Sequence, residues 1–140
     1  MTDKIYPGVF VRVKAMVIDG IVLLVFMVAT SSLFSLFNDV PDVVRVSAFL
    51  FIFLLYDPLL TSFWGGTIGH RFTGIRVRKE QDEQSNIQFP QAVLRYIIKA
   101  LIGWISLLTV GGNKKGKAIH DFVARSVVVY AASENELNQM

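Results

Sequence analysis

The 140-residue chain has no cysteine, which removes disulfides, thiolate metal sites and a cysteine nucleophile and leaves the redox compartment open. Histidine occurs only twice, at His70 and His120, too sparse a set to point to a metal centre or catalytic imidazoles. Charged residues make up 18% of the chain and are unevenly spread. They gather at the start, across residues 71–99 and in the tail, leaving two blocks nearly free of charge. The serines lack a nucleophile-elbow context. Gly65, Gly66 and Gly69 follow no strand signal and precede no Gly-Lys-Ser/Thr, so phosphate cradling is unsupported. No internal repeat or low-complexity tract is present. These absences argue against an enzyme, and no cofactor or metal is expected.

Apolar sequence is abundant, at 53% of the chain with a mean hydropathy of +0.50. Residues 13–37 form one long apolar run and residues 43–64 a second. Runs of about 18 or more apolar residues are long enough to cross a bilayer. The first is too long for a signal peptide, contains Asp19 and lacks a small-residue cleavage site, so it is expected to persist as a signal anchor. Between the runs, Asn38-Asp39-Val40-Pro41-Asp42 reads as a tight turn, which predicts an antiparallel helical hairpin. The net charge of +3 does not imply nucleic acid, because the basic residues flank apolar spans and suit an anionic leaflet.

Past the hairpin, residues 74–79 alternate apolar with charged, a strand pattern. Residues 80–86 are polar and predict a turn, with residues 87–89 returning as a second short strand. The β-branched stretch 126–130 supplies a third. The apolar segment 93–110 holds Arg95 and Lys99 four residues apart, on one helical face. After Lys99 its uninterrupted part spans roughly 16 Å of helix, about half a bilayer core. It is therefore expected to lie in or dip into the cytoplasmic interface as an amphipathic helix, with a full third span as the alternative. Lys4, Arg12 and Lys14 precede the first span and Arg71, Arg76, Arg78 and Lys79 follow the second, which predicts both termini in the cytoplasm. The organisation expected is a lead over residues 1–12, a membrane domain over 13–131 and a polar, frayed tail over 132–140. The fold class expected is an all-α membrane protein: a transmembrane hairpin, an amphipathic or third membrane helix and a small cytoplasmic β element.

Four polar residues need an explanation. An acid inside a span is costly unless it faces a partner, a cavity or water. Arg12 and Asp19 lie about 10 Å apart on one face of the first helix. One reading makes Arg12 a headgroup anchor and Asp19 a structural acid that pairs helices; the other makes Asp19 protonatable or cation-binding. Asp57-Pro58 interrupts the second span, with Asp57 capping a broken helix or approaching Asp19 to share a proton or cation. In His120-Asp121 the carboxylate fixes the histidine tautomer or pairs with Arg12 or Arg71 to dock the tail. Gly65, Gly66 and Gly69 form a small-residue pattern, with Gly65 and Gly69 the candidates for close helix packing.

The pieces Gly8-Val9-Phe10-Val11-Arg12, Met16-Val17-Ile18-Asp19-Gly20, Gly65-Gly66-Thr67-Ile68-Gly69-His70-Arg71 and Lys117-Ala118-Ile119-His120-Asp121, in this order and spacing, resemble the RDD family of small bacterial membrane proteins. The family is named for one arginine and two aspartates, which the resemblance maps to Arg12, Asp19 and Asp121. It implies a multi-pass protein of the bacterial cytoplasmic (inner) membrane, and transport is the suspected activity. The segment before His120, with Gly111-Gly112-Asn113, is shorter than in the family pattern, which weighs against an extra crossing. The function expected is transport of a proton, small cation or other small ligand through an oligomer with buried carboxylates. The alternative is an accessory protein that binds another membrane protein or lipid. The partners expected are the bilayer and either further copies of the chain or a second membrane protein.

Overall fold

Long apolar runs without helix breakers form the two longest elements of the computed structural model, which describes residues 4–139. Helix α1 covers Val9–Ser35 and α2 covers Asp42–Trp64. Both are long and apolar enough to cross a membrane, with mean hydropathies of 2.2 and 1.9. Only 6% and 11% of their most apolar windows are buried within the chain, so most of their side chains face outward. Apolar exposure on that scale is incompatible with water and suits lipid. Pro58 does not break α2, which runs on to Trp64. Gly65, in the left-handed conformation at φ +77°, ends it.

A short helix, α3 (Ile68–Phe72), leads into strand β1 (Ile75–Lys79). β1 pairs antiparallel with β2 (Ser126–Tyr130), Val77 opposite Val128, so the strand patterns of 74–79 and 126–130 meet in one sheet. Residues 87–89 do not add a strand. Ile87 is buried against the sheet and α1, Gln88 caps the next helix through Gln91, and Phe89-Pro90 opens α4 (Phe89–Ile102). Proline in a first helical turn costs no hydrogen bond, which favours a helix start over an edge strand here.

The third apolar segment is bent rather than straight. Gly103, at φ +64°, turns the chain by 108° into a 3-10 helix over Gly103–Gly112. By length and composition the pair qualifies as one broken span or as a re-entrant loop. Its amphipathicity is also inverted relative to expectation. Leu101 is 78% exposed, and Leu94 and Ile97 are also exposed, whereas Arg95 is only 2% exposed. The cationic face of α4 is turned into the protein and the apolar face outward, the arrangement that suits lipid.

Helix α5 (Ile119–Ala124) precedes β2, and α6 (Ala131–Asn138) follows it, so the expected frayed tail is helical where described. Residues 9–12 of the expected lead already belong to α1. Residues 1–3 of the lead and residue 140 of the tail lie outside the described residues. The main apolar core joins Ala15 of α1 to Ile75, Val77 and Val128 of the sheet and Ala92 of α4. A second gathers Leu107, Val110 and Ala118 near Val9 and Met16. Both cores lie along the N-terminal half of α1.

Candidate functional site

Helical spacing gathers the polar residues at that same end. Arg12, Ala15 and Asp19 are the buried residues of α1, at intervals of three and four. On α2 the buried residues are Tyr56, Asp57, Pro58 and Thr61, and on α4 Ala92 and Arg95, with the half-buried Lys99 one turn further along. Gly69 and His70 of α3 and His120 and Asp121 of α5 close the junction.

Asp121, with no exposed surface, is the hub of one half. Its Oδ2 accepts from Arg12 Nη1 at 2.7 Å and its Oδ1 from Arg95 Nε at 3.0 Å, while the Ala118 N–H donates at 3.1 Å. Arg12 Nη2 also donates to the Gly116 carbonyl at 2.7 Å. Burial alone would raise the Asp121 pKa, but Arg12 and Arg95 outweigh it and hold the carboxyl below the usual carboxylate range. Of the pairings open to Asp121, Arg12 is therefore the partner. Arg71 instead lies 5.0 Å over the Trp64 ring, outside the junction.

Asp57 is neutralised by α4. Lys99 Nζ donates to its Oδ2 at 3.0 Å, Thr61 donates to its Oδ1 at 3.2 Å, and Arg95 Nη1 stands 3.9 Å away. Asp57 therefore caps no broken helix, since α2 runs on through Pro58; it lines the same cavity as Asp19, and a cation from the third helix pairs with it. Asp19 has a different environment. It accepts from Tyr56 Oη at 2.8 Å, Thr67 Oγ1 at 2.6 Å and the Gly69 N–H at 2.7 Å, all uncharged donors. Gly69 makes this possible, because a Cβ there would collide with the Ala15 carbonyl and lie 2.7 Å from Asp19 Cγ. Gly69 is thus the close-packing glycine, whereas Gly65 serves as a helix terminator.

Both histidines are buried and neutral. Burial, reinforced by the charge of Arg95, lowers the pKa of each to about 3. Ser106 Oγ lies 2.8 Å from His120 Nδ1 and accepts from the His120 N–H, and the other ring nitrogen, Nε2, lies 3.6 Å from Asp121 Oδ1. Among the described residues no group of three or more His, Asp or Glu side chains converges to hold a metal ion.

A cavity of about 420 Å³ opens between α1, α2 and α4, with Asp19, Tyr56, Asp57, Tyr96 and Lys99 at its polar side and Met16, Leu23 and Phe53 on the apolar wall. Sequence reasoning missed Tyr56, Thr67, Arg95 and Lys99 as junction residues. The one available signal, two cations four apart inside an apolar segment, was consistent with headgroup contact.

Two apolar helices long enough to span, joined at one end by buried ion pairs to α4 and α5, define a helical membrane protein. The chain belongs to the RDD family, which matches residues 6–125. It is 30% identical to the uncharacterized protein YckC of Bacillus subtilis, over 94% of this chain and 89% of that one. It is 29% identical to the uncharacterized membrane protein YteJ of the same organism, over 89% of this chain and 81% of that one. YxaI, also from Bacillus subtilis, is 35% identical over 56% of this chain and 53% of its own length. No solved structure gives a significant match.

Proposed function

We propose that the protein is a transport-type protein of the bacterial cytoplasmic membrane that exchanges a proton or small cation at Asp19. The observation that carries this reading is the contrast among the three junction carboxylates. Asp121 and Asp57 each face two cations and have no charge left to offer, whereas Asp19 is held by Tyr56, Thr67 and a backbone N–H, none of them charged. A carboxylate inside a span with only neutral partners lacks a counter-ion, which a ligand can supply. The hydroxyl oxygens of Tyr56 and Thr67 are hard donors suited to a small cation once their protons rotate away. The 420 Å³ cavity gives the site an approach from between the helices.

Two or three membrane helices cannot by themselves enclose a pathway, and the apolar sides of α1 and α2 are free to pack against further copies. The reading therefore includes a homo-oligomer, with both termini and the sheet in the cytoplasm as the Lys and Arg distribution favours. Those same exposed faces favour a second reading, an accessory protein that docks on another membrane protein.

Cation- and pH-dependent flux in proteoliposomes tests the first reading, comparing the parent with Asp19→Asn. Asn keeps the size and removes the titrating charge, so the expected result is loss of coupled flux. A parent without flux under any gradient, or Asp19→Asn with full flux and unchanged pH dependence, refutes it. A homogeneous homo-oligomer in mild detergent supports transport, and a monomer recovered with one membrane partner supports the accessory role.

A further inference from the structure

Asp19 and its cavity leave unused the other side of the junction. There Arg12, Arg95 and Lys99, with His70 and His120, line a second and much smaller interior cavity of about 10 Å³, room for one water-sized particle. No carboxylate lines it; Asp19 and Asp57 belong to the wall of the larger cavity.

Three features make this a site for negative charge. The first is the charge balance around it. Arg12, Arg95 and Lys99 are three cations, and the carboxylates paired with them are two, Asp57 and Asp121, which leaves a surplus of one positive charge. Asp19, the third carboxylate of the junction, forms no ion pair with them, since none of its hydrogen-bond donors is charged. The histidines add no charge, because burial and the nearby Arg95 keep both neutral.

The second is unused hydrogen-bonding capacity. Arg12 and Arg95 are 4% and 2% exposed, yet Arg12 Nε and Arg95 Nη1 have no hydrogen-bond partner. Guanidinium N–H groups out of water and without an acceptor are costly, and so is a surplus charge in low dielectric. One anion between them removes both costs. The third is size: the cavity takes one small sphere, which excludes phosphate, sulfate and carboxylates, so the charge of its lining decides between a water and a single small anion.

We propose that the protein binds a single halide ion, ordinarily chloride, in the cavity between Arg12, Arg95 and Lys99, where it serves as the missing counter-ion of the buried network. This site shares Met16 and Lys99 with the wall of the Asp19 cavity, but the proposal does not depend on cation exchange there. Its test is an equilibrium measurement that needs no transport.

The purified full chain in detergent, prepared in gluconate, is titrated with chloride at constant ionic strength while its melting temperature is followed, and equilibrium binding of radioactive chloride is measured in parallel. The expected result is a saturable rise of about 2–5 °C, reproduced by bromide and not by sulfate, with bound chloride detected. Lys99→Met removes the surplus charge at the partly exposed member of the trio and is expected to weaken chloride binding by about tenfold or more. A parent that melts identically in chloride and gluconate and retains no radioactive chloride overturns the proposal in favour of a water molecule. Undiminished chloride binding in a folded Lys99→Met overturns the location. Should Lys99→Met fail to fold, anomalous scattering from bromide in crystals of the parent decides the location: a peak between Arg12 and Arg95 supports the site, and its absence there refutes it.

Discussion

Asp121→Asn is the substitution to which the junction is most exposed. The parent carboxylate has no solvent contact and holds two guanidinium groups, Arg12 at 2.7 Å and Arg95 at 3.0 Å. Asn replaces one acceptor oxygen by an NH2 donor, which must face one of those arginines. If the NH2 faces Arg12, that guanidinium keeps only the Gly116 carbonyl; if it faces Arg95, that one keeps only the more distant Asp57. Removing one partner of a buried ion pair costs about 3–5 kcal/mol, because the remaining charge stays buried. For a chain of this length the melting temperature should fall on the order of 10 °C or more. The assay is a fluorescence-detected melt in detergent, with size-exclusion chromatography to establish that the variant is monodisperse. The double variant with Arg12→Met separates pairing from bulk. It should lose less than the sum of the single changes, with a coupling of about 2 kcal/mol or more. Acid should mimic the substitution. The folded pKa of Asp121 is lowered, so its contribution is complete above the usual carboxylate range and is lost as pH falls through the folded value. An Asp121→Asn melt within about 1 kcal/mol of the parent, together with an additive double variant, would refute the account of the junction as a charge network.

Gly69→Ala should destabilise the chain by about 1–3 kcal/mol and disturb Asp19, because its Cβ meets the Ala15 carbonyl and the Asp19 carboxylate, whereas Gly20→Ala, with open space around the new methyl, should melt at or slightly above the parent temperature. Equal melts for the two would remove the close approach of α3 to α1 as a constraint. His70 and His120 are neutral in the fold down to about pH 3, below their ordinary 6.5, so stability is full above 6.5 and is lost as pH falls from there toward 3. One unit below 6.5 each should cost about 1.4 kcal/mol, and His120→Gln should flatten its share of that slope in melts taken across pH. Because the chain lacks cysteine, single cysteines at Asn38, Gln84 and Lys114 report topology through a membrane-impermeant maleimide. Gln84 and Lys114 should label from one side and Asn38 from the other, and Lys114 labelling together with Asn38 would make the bent third segment a full span.

The sequence alone determined what depends on local pattern. Two uninterrupted apolar runs with a turn of Asn, Asp and Pro between them leave a helical hairpin as the economical arrangement in a bilayer, and alternation in residues 74–79 and the β-branched run 126–130 mark two strands. Helical period also puts Arg12 with Asp19, and Arg95 with Lys99, on shared faces. Which way those faces turn is a different matter. The same amphipathic α4 can show its cations to headgroups or to buried acids, and only the packing of α2 and α5 against it turns Arg95 and Lys99 inward. Arg12 and Asp121 are 109 residues apart, and their pairing follows from where α1, α5 and the sheet come together. The separation of Asp19 from the charged network arises the same way: Gly69 lets α3 approach α1 closely enough for neutral donors to reach that carboxylate, while Lys99 reaches Asp57. Backbone periodicity acts over a few residues and is written in the chain, but the charge state and partners of a buried acid depend on what other segments bring to within about 4 Å of it, and tertiary packing alone decides that.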